Sequence, residues 1–258
     1  MKVGLIGAGN MARALARGWG EPVLCTDGGS GRAQALVGEL GGERVSTNRE
    51  LAERVDAVIL CHKPYHLEQV AAEIAGVAET VVSVLGATGT SMLQRAYPSA
   101  QVFALIPNTC VEVRQGVTVY AQREAAEQAA VDPERERQVL ALFARLGKVV
   151  SVPERLLDAA TAISGVGPAY QALLVEAQVD AAVRRGLQAQ LAAELVTATM
   201  AGSAALITAK GHDTLAVRRE VTSPGGSTAR GLDALERAGI RTAFQDAIDA
   251  VTGLGGSR

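Results

Sequence analysis

Apolar residues along this chain follow two rhythms, and the change falls near Pro153. Before it, short apolar runs at Lys2–Ile6, Val23–Cys25, Asp56–Leu60, Thr80–Leu85, Gln101–Leu105 and Val117–Tyr120 alternate with segments whose apolar positions return at helical spacing. Runs with little polar interruption suit strands covered on both faces, so this half predicts a doubly wound α/β domain. After Pro153 the strand signals stop. Arg155–Ile163, Pro168–Gly186, Ala189–Lys210, His212–Arg219, Thr228–Ala238 and Thr242–Thr252 read as helices, punctuated by Gly165, Gly167, Gly186, Gly211 and Gly239. The expected division is an α/β domain over 1–152 and an all-α domain over 153–258, with Leu254–Arg258 a frayed tail.

The first apolar run passes directly into Gly7-Ala8-Gly9-Asn10-Met11-Ala12 and then into a helical pattern over Met11–Arg17. Strand, glycine turn and helix in that order predict a Rossmann-type site for a dinucleotide. Gly7 permits the tight turn, Gly9 lets backbone approach a pyrophosphate, and the small Ala12 lets the helix pack close to the sheet. Gly7, Ala8, Gly9, Asn10 and Met11 are therefore candidate cofactor contacts. Asp27 follows Gly7 by about twenty residues, where a carboxylate accepts from the adenosine ribose 2′-OH and repels a 2′-phosphate. Gly28-Gly29-Ser30-Gly31-Arg32 comes next, and Ser30 with Arg32 is suited to cradle a phosphate at a helix start. The two signals conflict, and use of both NADPH and NADH is expected.

A second glycine site lies in the helical half, at Ser223-Pro224-Gly225-Gly226-Ser227-Thr228. Pro224 cannot continue a helix, the glycines let backbone approach a ligand, and Ser227 or Thr228 is expected to cap the helix that follows. Unpaired N–H groups at such a helix start suit a small carboxylate or phosphate. A helix merely capped after a tight turn has the same local pattern. Lys63-Pro64 follows the strand Asp56–Leu60, so Lys63 emerges at a carboxyl end, either touching the nicotinamide ribose or substrate or standing in solvent. Asn108 ends the Gln101–Leu105 run and either faces the nicotinamide side or makes an Asx turn. Glu176 and Asp180 share a helical face, where a salt bridge or subunit contact is the expected role, and Pro64 between His62 and His66 argues against a metal site.

Composition narrows the classes. With 258 residues, a net charge of -2 and 3% aromatic residues, there is no basic run and little to stack on bases, so no nucleic-acid partner is expected. Apolar stretches read as broken before about 20 residues, so no membrane span is expected, and no signal peptide is apparent ahead of the first strand. Cys25, Cys61 and Cys110 are odd in number and far apart, which points to a reducing cytoplasm rather than a disulfide framework. The helical half is rich in small residues, as in Ala201-Gly202-Ser203-Ala204-Ala205. Such helices bury little area alone, so a second subunit is the expected partner, with tight packing inside one chain as the alternative.

The two glycine sites, joined by Cys61-His62-Lys63-Pro64, Ile106-Pro107-Asn108-Thr109 and Ile163-Ser164-Gly165-Val166-Gly167-Pro168-Ala169-Tyr170, resemble the pyrroline-5-carboxylate reductase family over essentially the whole chain. Thr222–Thr228 is the most specific of these motifs. The resemblance implies an N-terminal Rossmann domain, a C-terminal helical dimerisation domain, and NAD(P)H-dependent reduction of 1-pyrroline-5-carboxylate to proline. It implies dimers, sometimes gathered into larger rings. Ser223, Thr228 and Lys63 are the residues expected to carry the reaction, with Ser223, Gly225, Gly226, Ser227 and Thr228 holding the substrate carboxylate. Cys61, Lys63, Pro64 and Asn108 join the glycine turn, Asp27, Ser30 and Arg32 around the cofactor. Ala104, Cys110, Val166 and Ala198 depart from the family's usual residues on segments expected to face the cofactor or a domain interface. Two other functions stay open: reduction of another cyclic imine or small carboxylate, and nucleotide sensing without turnover.

Overall fold

The computed structural model describes residues 1–123 and 131–253, so the tail expected to fray at Leu254–Arg258 lies outside the described residues. Contacts divide the chain into two units, Met1–Pro168 and Ala169–Arg258. The first unit carries eight strands among its described residues. They are β1 (Val3–Ile6), β2 (Val23–Thr26), β3 (Gly42–Arg44), β4 (Ala57–Leu60), β5 (Thr80–Ser83), β6 (Gln101–Pro107), β7 (Gly116–Gln122) and β8 (Gly147–Pro153). They form one sheet in the order β3-β2-β1-β4-β5-β6-β7-β8. The first six are mutually parallel, β7 is antiparallel to β6, and β8 runs parallel to β7. From β1 the chain builds outward on one side through β2, then crosses to β4 on the other. The ends of β1 and β4 therefore form the switch point where ligands of open α/β sheets bind.

Strand side chains alternate between two apolar layers, as a sheet covered on both faces requires. Leu5, Ile59, Val82, Phe103, Leu105 and Tyr120 join one layer with α1 (Asn10–Trp19), α2 (Arg32–Leu40) and α6 (Pro133–Ala144). Ile6, Val58, Leu60, Val81, Val102, Ala104 and Val119 face the other, with α3 (Asn48–Glu53), α4 (Leu67–Ile74), α5 (Thr90–Ala96) and α7 (Leu157–Ser164). Trp19 anchors the first layer: its ring meets Phe143 edge-on at 5.9 Å, and its indole N–H donates to Leu142 O at 3.1 Å. This pairing gives the large ring both burial and a partner for its polar edge.

Two strands were not expected. β3 is exposed throughout and carries no apolar pattern, while β8 alternates half-buried and exposed positions at the sheet edge. The compositional change sits at Pro153, but the division in contacts comes after Pro168, because Leu157 of α7 is buried in the second apolar layer.

The second unit holds α8 (Gly167–Val183, beginning at the boundary), α9 (Ala189–Ala209), α10 (Thr214–Glu220), α11 (Ser227–Arg237) and α12 (Ile240–Thr252). Tyr170 of α8 meets Phe244 of α12 edge-on at 6.4 Å, and Lys210 pairs with Glu220. Among its described residues only Ala192 is buried, while Leu173, Leu191, Leu195, Leu206 and Phe244 are exposed. The expectation that apolar stretches break before bilayer length is corrected by α9. This helix has 21 residues, a mean hydropathy of 1.4, and the length and composition to cross a membrane. Glu194 is its one charged residue, and its Ser, Thr and Gly positions interrupt the apolar run without making any face strongly polar.

A carboxylate ties the start of α5 to the end of β8. No side chain within the turn caps α5, and Glu154, just after β8, supplies the missing acceptor: Thr90 N–H donates to Glu154 Oε1 at 2.6 Å and the Thr90 hydroxyl donates to Oε2. A negative group at a helix start is favoured by both hydrogen bonding and the helix dipole. Glu154→Ala is expected to lower stability by about 1 to 2 kcal/mol. Urea unfolding at matched protein concentration measures this, and an unchanged midpoint would show that the clamp adds nothing.

Candidate active site

Gly7 sets the geometry of the cleft. It takes φ +102°, in the left-handed region, and a Cβ there would stand 2.8 Å from the Cys61 carbonyl and the His62 nitrogen. Its N–H donates to Thr26 O at 3.0 Å, so the turn after β1 is pinned between the ends of β2 and β4. Gly9 begins α1 at φ -76° with no side-chain cap, and a Cβ on it would meet nothing within 4 Å. Open space over uncapped N–H groups at a helix start is what a pyrophosphate needs.

A cleft of about 800 Å³ opens here, lined by Gly7, Ala8, Gly9, Asn10 and Met11 from the turn and by Cys61, His62, Lys63 and Pro64 from the end of β4. Val84, Leu85 and Gly86 close it beyond β5, with Thr109 opposite. A second hollow of about 510 Å³ shares Gly7, Asp27, Gly28, His62 and His66 and continues past Ser46, Thr47 and Asn48. Together they make an elongated groove along the carboxyl ends of β2, β1, β4 and β5, which fits an extended dinucleotide.

Asp27, Ser30 and Arg32 line the groove as expected, and Asp27 also accepts from its own loop. Its side chain is only 3% exposed. Oδ2 accepts from the Ser30 hydroxyl at 2.8 Å and Ala33 N–H at 3.1 Å, and Oδ1 accepts from Gly29 N–H at 3.3 Å. Burial opposes its ionisation, yet the Ala33 N–H, the Ser30 hydroxyl and the N–H groups of Gly29 and Arg32 outweigh that and hold its pKa below the usual carboxylate value. His62 donates from Nδ1 to Lys63 O at 2.8 Å, and burial lowers its pKa against the opposing pull of that carbonyl.

Asn108 requires a correction. It is buried, its Nδ2 donates to Ser164 O at 3.0 Å, and its Oδ1 accepts from Val117 N–H at 3.1 Å. Both ends of its amide are engaged inside the protein, tying β7 to the end of α7, and the neighbouring Thr109 lines the cleft instead. Ala104 is likewise buried in the second apolar layer, so its departure from the family pattern concerns core packing.

The second glycine site lies in the helical unit. Gly225 takes φ +68°, Gly226 N–H donates to Ser223 O at 3.0 Å, and a Cβ on Gly226 would stand 2.4 Å from Ser223 Oγ. The expected cap is corrected: Gly226 is the N-cap of α11, no side chain bonds to it, and Ser227 and Thr228 are the first helical residues. The first turn of α11 therefore keeps its donors for a ligand. Thr228 is half-buried, and Ser223 and Ser227 are exposed.

Comparison with known proteins matches residues 154–254 to a model described as pyrroline-5-carboxylate reductase dimerisation, and residues 2–87 to one described as NADP oxidoreductase, coenzyme F420-dependent. A pyrroline-5-carboxylate reductase of Synechocystis is 35% identical, covering 97% of this chain and 95% of its own length. The Thermus thermophilus enzyme is 34% identical, over 98% and 96%. The chain belongs to the pyrroline-5-carboxylate reductase family. The crystal structure of the Plasmodium falciparum pyrroline carboxylate reductase with NADP bound superposes with a TM-score of 0.85 at 27% identity, covering 98% of this chain and 96% of that one. The Streptococcus pyogenes reductase gives 0.86 at 26% identity, over 98% and 97%.

Several groove residues in this family member escaped the sequence reading: His62, Tyr65 and His66 after β4, Leu85 and Gly86 after β5, and Ser46, Thr47 and Asn48 after β3. The first two groups follow strands that were expected, and extending the carboxyl-end rule to every strand would have found them. The third follows β3, which had no signal.

The two glycines of the turn are expected to fail differently. Gly7→Ala places a Cβ on backbone at an unfavourable φ and should cost at least about 2 kcal/mol of stability. Gly9→Asp should leave stability within about 0.5 kcal/mol yet abolish NADPH binding, because its carboxylate enters the open space over the helix start. Thermal unfolding alongside calorimetric titration separates the two, and a Gly9→Asp protein with normal NADPH affinity would remove this turn from the cofactor site.

Proposed function

We propose that this chain reduces 1-pyrroline-5-carboxylate to L-proline with NADPH or NADH, as the last step of proline synthesis. The observation that carries the reading is the pair of uncapped helix starts behind glycine turns: one opens into a groove long enough for a dinucleotide, the other is suited to a small carboxylate. When bound, the reduced nicotinamide supplies the hydride. The chain's task is then to orient the imine carbon, hold the carboxylate and keep water out.

A cyclic imine protonated on nitrogen is already electrophilic, so no strong acid is required of the protein. The N–H groups of Gly225, Ser227 and Thr228, with the hydroxyls of Ser223 and Thr228, hold the substrate carboxylate, while the Gly226 N–H, expected to join them, is held by Ser223 O and shapes the loop. Neutral donors suffice at a helix start. Lys63, exposed at the lip of the groove, contacts the nicotinamide ribose or the substrate. Gly7, Ala8, Gly9, Asn10 and Met11 hold the pyrophosphate, with Cys61 and Pro64 beside them.

The functional unit is a homodimer in which α8 and α9 pair with the same helices of a second chain, covering the apolar side chains that one copy leaves exposed. A ring of such dimers, a cytoplasmic location, and no nucleic-acid or membrane partner complete the reading. A net charge of -2 and the absence of any basic run are in keeping with it.

Initial rates with NADPH and NADH against pyrroline-5-carboxylate and other cyclic imines test the activity. Turnover of pyrroline-5-carboxylate above the others is expected; turnover of a different imine, or tight cofactor binding without oxidation, would replace this reading by one of its two competitors. Thr228→Ala is expected to weaken binding of a proline analogue by about 1 to 2 kcal/mol while leaving NADPH affinity unchanged. Loss of cofactor binding alone would detach the loop from the substrate. Co-expression of Gly9→Asp with Thr228→Arg addresses sharing between subunits. If each site combines groups from two chains, mixed dimers regain one intact site; if each chain is self-sufficient, no activity returns.

A further inference from the structure

The start of α11 carries a cation that helix electrostatics alone would not place there. Arg230 is the fourth residue of this helix, and its N–H closes the first turn on Gly226 O at 3.2 Å. A positive charge so near a helix start opposes the dipole, and no acidic residue stands in that turn to offset it. Asp233 lies three residues on, a spacing that suits an ion pair on one face, yet its carboxylate is 2.7 Å from Arg237, and Glu236 is taken by Arg241. Arg230 is left without an ion pair among the described residues. Its side chain instead runs back towards the helix start, where Nη1 donates to Gly225 O at 2.7 Å. The peptide between Gly225 and Gly226 is thereby held at both ends, since the Gly226 N–H donates to Ser223 O at 3.0 Å. Gly225 takes φ +68°, and these two bonds hold the loop in one shape around a residue free to adopt others.

We infer that Arg230 is a positioning residue for the substrate loop: by clamping the Gly225 carbonyl it fixes the direction of the Ser227 and Thr228 N–H groups, and its charge makes the loop select a carboxylate over a neutral group. Uncapped N–H groups accept any small acceptor, whereas a guanidinium added beside them favours one that carries a full charge. The charge that opposes the helix dipole in the empty loop is offset when a carboxylate sits there. Occupied and empty states are therefore further apart in free energy than the neutral donors alone would set them. This rests on the loop being the carboxylate site, and it is independent of how the hydride is delivered.

The test uses the full-length protein and two ligands that differ only at the carboxyl group, L-proline and L-prolinamide, titrated by calorimetry onto the NADPH complex. Arg230→Met keeps a long stem but removes the charge and the donors. It should weaken L-proline about tenfold and move L-prolinamide less than about twofold. The KM for pyrroline-5-carboxylate should rise by a similar factor, with kcat within about twofold of the native value. Arg230→Lys restores a charge and a donor and should bring L-proline affinity back to within about threefold. Retained NADPH affinity and cooperative thermal unfolding report that the variants are folded. Native L-proline affinity in Arg230→Met, or equal losses for L-proline and L-prolinamide, would overturn the inference and leave the proposed reaction standing. The expected binding shifts without turnover of pyrroline-5-carboxylate would overturn only the reaction, and a native protein that binds neither ligand would overturn the inference together with the site it rests on.

Discussion

The contact on which the first unit depends is backbone against backbone, between the turn at Gly7 and the peptide joining Cys61 to His62. Strands β1 and β4 are neighbours only because the chain crosses over between them, and at their ends nothing larger than hydrogen fits on the glycine. The turn is held on its other side by the hydrogen bond to Thr26 at the end of β2. Three strand ends are thus fixed around one residue. The floor of the groove is main chain, whose position is set by the sheet, while the side chains that distinguish ligands stand on the loops around it.

The same sheet explains why the groove is well defined although few of its charged groups are buried. Strict alternation puts one set of strand residues into each apolar layer, and a shift of one position in any parallel strand would exchange the two sets and disturb the packing of both layers. Register is therefore specified from both faces at once. The loops inherit this precision at their first residue and lose it with distance, which is why internal hydrogen bonds are concentrated on the longer ones. Asp27 organises the segment leading into α2, Asn108 ties β7 to the end of α7, and Glu154 reaches the start of α5.

Much of this was legible from residue order. Six apolar runs marked strands of the sheet, and the two glycine turns identified both helix starts. What escaped did so for separate physical reasons. β3 consists of Gly42, Glu43 and Arg44, all exposed, and pairs through backbone alone, so no side-chain pattern announces it. Ser46, Thr47 and Asn48 were lost with it. β8 sits at an edge with only partial burial, which dilutes its alternation. The role of Asn108 depends on two partners distant in the chain, Val117 and Ser164, and no local spacing encodes that. Asp27 was found in the expected place, but its orientation is decided by donors supplied by the very loop that was read as a competing phosphate cradle.

The helical unit has a different physical character, because it lacks an interior of its own: Ala192 is its one buried residue among those described, and α8 and α9 are apolar on nearly every side. Completing it is a second-order event. A newly made chain can form the sheet at a rate independent of how many copies surround it, whereas the time its helices spend uncovered lengthens in inverse proportion to the concentration of their partner. The abundance of the protein thus enters its own maturation, and cells holding few copies would lose a larger share of them to proteolysis before pairing than cells holding many.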